Sequence, residues 1–430
     1  MKIIIANNRY FVSGGPERYL FSVKQLLADR GHEVIPFSVN YSKTEPTPYQ
    51  SYFVDPPAGP EQVYYGDIKP MTPRRIMTLL SRSFYSLSSR NAMIRLIRHT
   101  NADIVYILHC SNFLSPSIID GAHHCGVPVV TRLSDFHLFA PCYLFLRDGE
   151  PCELCAYGDF YNALRYKCLQ NSISVSLARV GAMLFHRLIG LQSRVSAYAA
   201  PSEYLRAKVV QLGLPGNKVH LLPSFVQMTP NEHETSEKAP DGLGDFVYFG
   251  RLSPEKGLDI LLKAYALFLR KTPEPIENQP RLVLAGWETD ESERLQRTIP
   301  PEIQDNVRFA GALEGDALRR LVGRARATIL PSLCYENSPM ALLESMSWGT
   351  PVIASRIGSL PEVIRHEETG LLVEPGSPTD LAQALARAAG DPGLIAKMSL
   401  QAQQEAFSRF GADLHYDRLL KIFGMAVETR

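Results

Sequence analysis

The 430-residue sequence lacks the features of several large protein classes. It contains no run of about 18 uncharged apolar residues, so no membrane-spanning helix is predicted. The N-terminal stretch MKIIIANNRYF has three isoleucines in a row but no small-residue cleavage pattern behind them, unlike a signal peptide. The seven cysteines are an odd number, which without a secretory signal favours reduced thiols. We therefore expect a cytoplasmic protein.

Two common nucleotide-binding motifs are also absent. No GxGxxG follows the first predicted strand and no GxxxxGK(S/T) occurs anywhere, which disfavours dinucleotide-binding and Walker-type NTP-binding sites. The first strand is followed instead by NNRYFVSGGPERY, in which Gly14 and Gly15 precede an amphipathic helix. Paired glycines allow backbone N–H groups to approach a phosphate at a helix N-terminus. The alternative is a simple tight turn.

Length and charge both indicate two domains. A chain of this length exceeds what one hydrophobic core usually holds, and 45% hydrophobic with 21% charged residues is ordinary for a globular protein. The net charge of +1 is unevenly distributed. Residues 1–200 contain 20 Lys and Arg against 14 Asp and Glu, a balance of +6, and the remainder contains 25 against 30, a balance of −5. A basic half and an acidic half favour domains with different partners.

Predicted strands alternate with helical segments in both halves, which indicates an α/β fold with parallel, doubly wound sheets. The strands are predicted at residues 2–7, 33–39, 103–108, 128–133 and 195–200, and then at residues 245–250, 281–286, 306–311, 327–331, 351–355 and 370–374. The segment between the halves, residues 227–244, is polar, contains Pro and Gly and lacks periodicity, so we interpret it as a linker. Two such domains form a cleft, with ligands at the carboxyl ends of the strands.

The segment CYENSPMALLES, residues 334–345, places two carboxylates around a predicted helix start. Ser338 is a favourable N-cap and Pro339 suits the first helical position, so Glu344 lies roughly 7.5 Å into the helix and Glu336 lies in the loop before it. The N-terminus of this helix attracts an anion. A carboxylate beside that anion is tolerable if it accepts hydrogen bonds from hydroxyl groups of the ligand. A nucleotide sugar, a diphosphate with a hydroxylated ring at each end, has that shape. The alternative is a solvated loop acid and a helix-surface charge.

The diphosphate of such a ligand needs cations. After the strand at residues 245–250, the turn GRLSPEKG carries Arg251 and Lys256, and Arg251 leaves the carboxyl end of that strand. A guanidinium can bind two phosphate oxygens at once, while lysine supplies a mobile point charge. The alternative is a solvated turn in which Lys256 pairs with Glu255.

Four segments in order, GRLSPEKG, VRFAG, ATILPSLCYENSPMALLESMSWGTPVIAS and GLLVEPGSP, resemble the retaining glycosyltransferases of family 4, which have the GT-B architecture. The resemblance covers residues 245–377, and GGPERY is similar to the family's GG-x-E turn. It implies two Rossmann-like domains facing a cleft, with an acceptor-binding domain at residues 1–226 and a domain binding a UDP- or GDP-sugar at residues 245–405. It also implies that a helix at residues 406–430 packs back on the first domain. The implied reaction is transfer of a sugar to an acceptor hydroxyl, with retention of configuration and without a catalytic metal or other cofactor.

The resemblance also implies roles for individual residues. Arg251 and Lys256 would bind the donor diphosphate, Glu344 the ribose, and Glu336 the hydroxyls of the donor sugar. Further donor contacts would come from Asn337, Ser338, Pro339 and Met340, from Arg308 and Phe309 around the base, and from Gly14 and Gly15. The residues expected to take part in the chemistry are Asp135, Arg251, Lys256 and Glu336. A glycosidase would instead hold an acid and a nucleophile about 5 Å apart.

One position departs from the family pattern. The family often carries His-Asp after the strand at residues 128–133, whereas this sequence continues VTRLSDFHLFAP. Asp135 matches, but Ser134 stands in place of the histidine. His137, three residues on, and His109, at the end of another predicted strand, are candidates to replace it. The alternative is that both histidines are structural.

Four cysteines follow at the spacing C-x9-C-x2-C-x12-C, namely Cys142, Cys152, Cys155 and Cys168. Four cysteines that include a CxxC pair can form a closed tetrahedral zinc site, so structural zinc is one hypothesis and buried, metal-free thiols are the other. A thioredoxin-like role fits poorly, because CELC does not open a helix after a first strand.

Two segments of the basic half contain no acidic residue. Residues 70–100 hold six arginines, and residues 160–202 hold five Lys and Arg around SVSLARVGAMLFHRLIGL. Basic amphipathic segments are typical of membrane surfaces, so we expect a peripheral protein at the inner face of a membrane, with a lipid-linked acceptor in surface-glycan synthesis. Shallow insertion is expected of Ile76, Leu79, Leu80, Phe84 and Tyr85. The alternatives are core helices with solvated arginines and a soluble sugar acceptor; no motif for reading nucleic acid accompanies the charge.

Two other functions are compatible with the same motifs. A nucleotide-sugar epimerase or hydrolase would consume the donor without an acceptor, and a non-catalytic sensor would bind the donor tightly without turnover. The sequence names neither the donor sugar nor the acceptor.

Overall fold

The computed structural model describes residues 1–63, 68, 71–227, 244–272, 275, 278–287 and 290–428. Residues 228–243, most of the segment interpreted as the linker, lie outside the described residues. The described chain forms two six-stranded sheets and one two-stranded hairpin.

The first sheet is built from the N-terminal half. Its strands and those of the hairpin are β1 (Lys2–Asn7), β2 (Glu33–Phe37), β3 (Ile104–His109), β4 (Val129–Arg132), β5 (Leu146–Arg147), β6 (Glu150–Pro151), β7 (Ala197–Ala200) and β8 (Val219–Leu221). The sheet order is β2-β1-β3-β4-β7-β8 with all neighbours parallel, and β5 pairs antiparallel with β6. The direction of winding changes between β1 and β3, which is where doubly wound sheets bind ligands.

Helices cover both faces of this sheet, because strands that are apolar along their whole length must be buried on both sides. The helices are α1 (Gly15–Asp29), α2 (Pro73–Phe84), α3 (Leu87–Thr100), α4 (Ser117–His124), α5 (Tyr161–Arg165), α6 (Ile173–Leu188) and α7 (Glu203–Gln211). Four of them begin after a Ser or Thr whose side chain accepts a backbone N–H bond: Thr72, Ser86, Ser172 and Ser202. One face of the sheet buries Met93 of α3, and the other buries Val23 of α1.

The second sheet repeats this architecture. Its strands are β9 (Phe246–Phe249), β10 (Leu282–Ala285), β11 (Val307–Gly311), β12 (Ala327–Leu330), β13 (Val352–Ser355) and β14 (Gly370–Val373), in the order β11-β10-β9-β12-β13-β14. Its helices are α8 (Leu258–Lys271), α9 (Asp290–Thr298), α10 (Gly315–Gly323), α11 (Met340–Ser347), α12 (Leu360–Val363), α13 (Pro378–Gly390) and α14 (Pro392–Phe410). Each predicted strand is present with its ends within two residues of the expected positions. The doubly wound α/β fold with two Rossmann-like domains is therefore confirmed.

Two elements escaped prediction because both are too short to show a pattern. The edge strand β8 has only three residues, VHL, with a polar residue at its centre. The hairpin strands β5 and β6 have two residues each, which is below the length at which alternation can be recognised.

The last helix, α15 (Ala412–Glu428), follows α14 after a single residue, Gly411. The helix expected from residue 406 therefore begins later, because α14 continues to Phe410. Leu419, Ile422 and Phe423 of α15 are buried in the same cluster as residues of β1, β3 and β7. At the junction, the backbone N–H of Val226 donates to the carbonyl of Phe410 at 2.9 Å. The end of the described chain thus packs on the N-terminal sheet.

Candidate active site

The two sheets face each other across a cleft of about 2140 Å³. Its walls include the segments that follow β1, β3 and β4 in the first sheet and β9, β10, β11 and β12 in the second. All of these segments leave the carboxyl ends of parallel strands, which is the usual ligand side of such sheets. The cleft is therefore the candidate active site.

The segment CYENSPMALLES joins β12 to α11 and forms part of the cleft wall. The helix begins at Met340, with Pro339 in extended conformation as its N-cap and no side-chain cap. The predicted cap by Ser338 is therefore wrong, because Pro339 precedes the helix instead of opening it. Ser338, Pro339 and Met340 all line the cleft, so the N-terminal end of this helix, which favours an anion, lies at the cleft wall.

Glu336 is buried and bound to Lys256. Its Oε1 lies 2.6 Å from Lys256 Nζ and accepts a hydrogen bond from Ser332 Oγ at 2.5 Å. Burial acts to raise the pKa of Glu336, but the nearby ammonium and the hydrogen bonds outweigh it and hold the pKa below its usual value. The alternative of a solvated loop acid is wrong, because Glu336 is buried. The alternative of a Lys256–Glu255 pair is wrong as well, because Lys256 pairs with Glu336 and Glu255 pairs with Arg251 at 3.4 Å.

Two glycines allow these loops to approach each other. Gly257, directly after Lys256, has a φ of +71°, and a β-carbon there would lie 2.0 Å from the carbonyl oxygen of Pro331. Gly358 has a φ of +59°, and its β-carbon would lie 2.4 Å from the carbonyl oxygen of Glu336. Neither position can hold a side chain without moving the loops that carry Lys256 and Glu336.

Glu344 lies across the cleft from α1 and pairs with Arg18, whose Nη1 is 3.2 Å from its Oε2. Burial raises the pKa of Glu344 despite this pair. The two helix starts also meet here, since a β-carbon on Gly15 would lie 3.8 Å from Cγ of Met340. Glu344 is thus not a solvated surface charge. Arg18 was not predicted as a site residue, although its place in the first turn after the paired glycines was a usable signal.

Arg251 and Asn337 complete this part of the cleft wall. The Arg251 side chain is 70% exposed, so a guanidinium on a flexible stem can reach into the cleft. Asn337 Nδ2 donates to the backbone carbonyl of Ser134 in the other domain at 3.1 Å. Asn337 Oδ1 is buried and has no hydrogen-bond partner in the described part of the chain, which leaves an acceptor available to a ligand.

Asp135, His137 and His109 lie together on the N-terminal wall. Asp135 Oδ1 is 2.5 Å from His137 Nδ1, and the rings of His109 and His137 are 6.1 Å apart. Burial acts to raise the pKa of Asp135, but the two histidines outweigh it and hold the pKa well below its usual range. Burial lowers the pKa of His109 to about 4, so this ring is neutral near pH 7.

Arg308 and Phe309 do not line the cleft. Phe309 packs against the core of the second domain, and Arg308 is exposed on the edge strand β11. The two residues expected around the base therefore lie within the strand, because β11 continues to Gly311 and ligands meet a sheet beyond the ends of its strands. The cleft at this end is lined by Ala312, Leu313 and Glu314, with Trp287 nearby after β10.

The zinc hypothesis is not supported. Within the ranges given above, no group of three or more His, Cys, Asp or Glu side chains is arranged to hold a metal ion. Cys155 is buried against Phe160 and Met183, and burial, with smaller contributions from the other three thiols, raises its pKa to about 12. The same loop contacts the second domain, since the Tyr335 hydroxyl donates to Glu153 at 2.8 Å. The loop that carries the four cysteines thus connects the two domains.

The basic segments are less exposed than expected. Arg82 is buried and donates to the carbonyl of Asp55 at 3.1 Å, and Arg90 pairs with Asp120 at 2.9 Å. Leu79 is also buried, whereas Ile76 is exposed. Among the described helices, none combines the length and the hydropathy that a membrane crossing requires.

A two-domain α/β chain of this topology, with its cleft at the facing carboxyl ends of two Rossmann-like sheets, defines a GT-B glycosyltransferase. Residues 13–229, half of the chain, match Glycosyltransferase Family 4, and the chain belongs to this family. Residues 231–405 match the glycosyl transferases group 1. This membership favours a transferase over an epimerase, a hydrolase or a sensor.

Known proteins of similar sequence and structure agree with this class. An uncharacterised glycosyltransferase of Methanocaldococcus jannaschii is 28% identical over 327 residues, which cover 75% of this chain and 76% of that protein. HepE of Anabaena in complex with UDP has a TM-score of 0.63 at 17% identity, covering 99% of this chain and all of that one. Sucrose-phosphate synthase of Thermosynechococcus elongatus has a TM-score of 0.68 at 17% identity over the full length of both chains.

Proposed function

We propose that the protein is a retaining glycosyltransferase that moves a sugar from a UDP- or GDP-sugar to an acceptor hydroxyl. The main observation behind this proposal is that two ion pairs, Lys256–Glu336 and Arg18–Glu344, line the same interdomain cleft as the N-terminus of α11. Cations and N–H groups suit a diphosphate, and buried carboxylates suit the hydroxyl groups on either side of it.

In this proposal the donor lies along the wall of the second domain. Its diphosphate contacts Arg251, Lys256 and the first turn of α11, and the sugar hydroxyls donate to Glu336. The ribose hydroxyls donate to Glu344, which places the base beside residues 312–314. Anabaena HepE has been solved with UDP and with UDP-glucose, so uridine nucleotides are the first to test.

In this proposal the cations of the cleft stabilise the leaving group, and Glu336 and Glu344 do not act as an acid and base pair. Departure of the nucleoside diphosphate develops negative charge on its oxygens, which Arg251, Lys256 and the N–H groups of α11 stabilise without a metal. The acceptor hydroxyl attacks from the face that the diphosphate leaves, a phosphate oxygen takes its proton, and the configuration is retained. A glycosidase acid has a raised pKa, whereas Lys256 and Ser332 hold Glu336 ionised.

Turnover with defined substrates tests this function. The protein is incubated with UDP- and GDP-hexoses, with and without an acceptor panel, and released nucleoside diphosphate and the anomeric configuration of the product are measured. Acceptor-dependent release with retention supports the proposal. Release without an acceptor indicates a hydrolase, conversion of the donor sugar an epimerase, and tight binding without turnover a sensor. An inverted product overturns the retaining mechanism.

We also propose that the acceptor is carried by a lipid. The cleft extends along the first domain to Phe84 of α2 and Leu177 of α6. The two helices pack closely, because His186 Nε2 lies 2.7 Å from the carbonyl oxygen of Phe84 and a β-carbon on Gly181 would lie 3.1 Å from the Phe84 ring. The catalytic cleft therefore opens beside an apolar helix pair.

From the rim of the cleft outward, α6 presents an apolar stripe to solvent. The stripe consists of Ile173, Leu177, Leu184 and Leu188, which are between 51% and 85% exposed. Ile76 and Met77 of the adjoining α2 are exposed as well. Neither helix contains an acidic residue, and Arg74 and Arg187 are exposed on them. An apolar stripe among cations suits docking on an anionic bilayer, where a lipid-linked acceptor in surface-glycan synthesis would be presented to the cleft.

A further inference from the structure

Tyr143 lies on the N-terminal wall of the cleft, shortly before the hairpin of β5 and β6. Its side chain is 46% exposed. Desolvation by the cleft walls raises the pKa of Tyr143, against the charge of Arg251 and together with the charges of Glu255 and Asp135. Arg251 and Glu255 belong to the second domain and Asp135 to the first. The phenol therefore lies within electrostatic reach of both walls of the cleft.

The backbone conformation of Tyr143 is one that a bulky residue rarely adopts. Its φ is +54°, in the left-handed region where the β-carbon is crowded by the backbone. Two hydrogen bonds hold it there: its N–H donates to the carbonyl of Ala140 at 3.0 Å, and its carbonyl accepts from the N–H of Phe136 at 3.1 Å. Phe145, two residues on, has a φ of +51° and is fully buried. The backbone thus fixes the point from which the Tyr143 side chain leaves the chain.

The same unusual conformation recurs along this part of the wall. Of the ten non-glycine residues with positive φ in the described ranges, six lie within residues 143–171. They are Tyr143, Phe145, Asp148, Lys167, Gln170 and Asn171. Asp148 and Gln170 line the cleft, as Tyr143 does. Strained backbone concentrates at ligand-binding and active sites, where it fixes side chains in particular directions. This concentration indicates that the wall binds a ligand.

The hairpin that follows Tyr143 closes this side of the cleft against the second domain. A β-carbon on Gly149, at the hairpin tip, would lie 3.9 Å from Cδ1 of Leu333. Glu153, just beyond β6, accepts a hydrogen bond from the Tyr335 hydroxyl at 2.8 Å. Leu333 and Tyr335 both belong to the loop between β12 and α11. The space beside Tyr143 is therefore enclosed by both domains.

The proposed reaction decides which substrate meets Tyr143. The acceptor hydroxyl attacks from the face that the diphosphate leaves, so the acceptor must lie next to the diphosphate that Arg251 contacts. The donor occupies the wall of the second domain in that proposal, which leaves the opposite wall to the acceptor. A sugar ring suits this place, because its C–H face packs on an aromatic ring while its hydroxyl rim meets charged side chains. An acyl chain would remove water from Asp135 and Arg251 without replacing its hydrogen bonds.

We propose that Tyr143 binds the acceptor, and that the group it binds is a sugar ring stacked on the phenol, with one hydroxyl directed toward the donor diphosphate. The wall at residues 143–151 then selects an acceptor that ends in a sugar over one that ends in an acyclic polyol. Such a sugar can itself be carried by a lipid. The inference rests on the proposed function, which it deepens by naming the chemical class of the accepting group.

Substitutions of the aromatic ring test this contact. Tyr143→Leu removes the ring, Tyr143→Asn removes it with a residue that tolerates positive φ, and Tyr143→Phe keeps it. Tyr161, 67% exposed at the start of α5 and outside the cleft lining, provides the matched control Tyr161→Leu. The acceptor probes are the octyl glycosides of glucose, galactose, mannose and N-acetylglucosamine, compared with octyl glyceryl ether, whose hydroxyls are acyclic. Initial rates give KM for each acceptor, and calorimetry gives the Kd of the UDP- or GDP-hexose.

The unmodified protein should transfer to at least one glycoside and poorly to the glyceryl ether. Tyr143→Leu and Tyr143→Asn should raise KM for that glycoside about fivefold to tenfold, the size of one aromatic contact, with the donor Kd within about twofold. Tyr143→Phe should retain most of the acceptor affinity, and Tyr161→Leu should change neither constant.

Unchanged KM in a folded variant without the ring overturns the inference, as does a donor Kd that weakens as much as the acceptor KM rises. A donor-binding protein that uses the glyceryl ether as well as the glycosides, or uses none of the probes, overturns it too. The donor site of the proposed function stands in each of these cases. If the unmodified protein binds no nucleotide or nucleotide sugar, the proposed function fails and the inference fails with it.

Discussion

Lys256 Nζ and Glu336 Oε1 form a buried ion pair of 2.6 Å in the wall of the cleft. The two side chains are 80 residues apart in the sequence and belong to loops that follow β9 and β12. In the proposed function, Lys256 contacts the donor diphosphate and Glu336 the donor sugar. Because they touch, a change at either residue alters the charge felt by the other, and their contributions to binding cannot be independent.

The first prediction concerns the stability of this pair. Lys256→Met or Glu336→Gln alone should lower the free energy of unfolding by about 3 kcal/mol, because each leaves a buried charge without its partner. The double variant should lose clearly less than the sum of the two. Urea unfolding measures all three, with Arg251→Met as the exposed control. Additive losses would contradict a direct pair.

The second prediction concerns nucleotide binding at Glu344. Glu344→Ala should weaken binding of UDP or GDP by roughly 10- to 150-fold, the loss of a charged-group hydrogen bond. Glu336→Ala should mainly reduce sugar transfer. The exposed acid Glu374 of the same domain gives the control Glu374→Ala, for which calorimetric titration should show no change. Unchanged nucleotide affinity in Glu344→Ala would remove the ribose assignment.

The third prediction separates steric conflict from backbone strain at Gly257. Gly31→Ala should cost about 1–2 kcal/mol, since Gly31 has a φ of +80° but no atom within 4 Å of a β-carbon position. Gly257→Ala combines a similar φ with a contact to the Pro331 carbonyl, so its loss of unfolding free energy should be larger by at least about 2 kcal/mol. Chemical denaturation compares the two. Equal losses would mean that the Pro331 loop can move freely.

The fourth prediction is a pH dependence arising from His415. Burial lowers its pKa to about 3; Nδ1 is 2.7 Å from the carbonyl of Pro223 and Nε2 is 3.1 Å from the Tyr19 hydroxyl. Because the folded pKa is below the unfolded one, near 6.5, its contribution to stability is complete above about pH 6.5 and is lost as the pH falls toward the folded value.

Between pH 6.5 and 5, His415→Asn should therefore show a slope of unfolding free energy smaller by up to about 1.4 kcal/mol per pH unit. The exposed control His123→Asn should keep the slope of the unmodified protein. Denaturant titrations at several pH values within this window provide the measurement. An identical slope in both variants would show that His415 does not titrate on unfolding.

The fifth prediction concerns the apolar stripe on α6. The unmodified protein should sediment with anionic vesicles at low salt and be released by added salt, since each basic residue near such a surface contributes about 1 kcal/mol. Leu184→Glu with Leu188→Glu should abolish sedimentation, whereas Leu400→Glu, at a residue 59% exposed on α14 of the other domain, should not. Arg74→Glu should weaken it; buried Arg82 is unsuitable as a probe. Protein that stays in the supernatant with anionic vesicles at low salt would contradict docking of α6 on a bilayer.

The fold could be predicted because its signals are local. Each sheet strand except β8 is an apolar run between turn residues, and such runs are recognisable without knowing what they pack against. The position of four residues in the cleft could be predicted for the same reason, since they stand in motifs beside strand or helix ends: Arg251, Lys256, Glu336 and Glu344. The expectation at Ser338 failed because a proline can precede a helix as well as open it.

The remaining features depend on contacts between distant residues. Arg18 and Glu344 are 326 residues apart, and nothing near either one indicates the other. The pairing of Lys256 with Glu336 instead of Glu255 depends on how closely Gly257 approaches Pro331. The burial of Arg82 could not be predicted either, because its partners, the Asp55 carbonyl and Ser89, become neighbours only in the folded domain.

The bond between Val226 and Phe410 has a mechanical consequence. The chain leaves the first domain just after Val226 and returns to it at Gly411, and these two points of crossing are joined to each other. Two chain connections that are hydrogen-bonded to each other restrict the relative motion of the domains more than a single flexible connection would. If the cleft opens, the two domains are expected to turn about this one place. Cutting the chain after Phe410 would leave the two domains joined covalently by one connection, the segment after Val226.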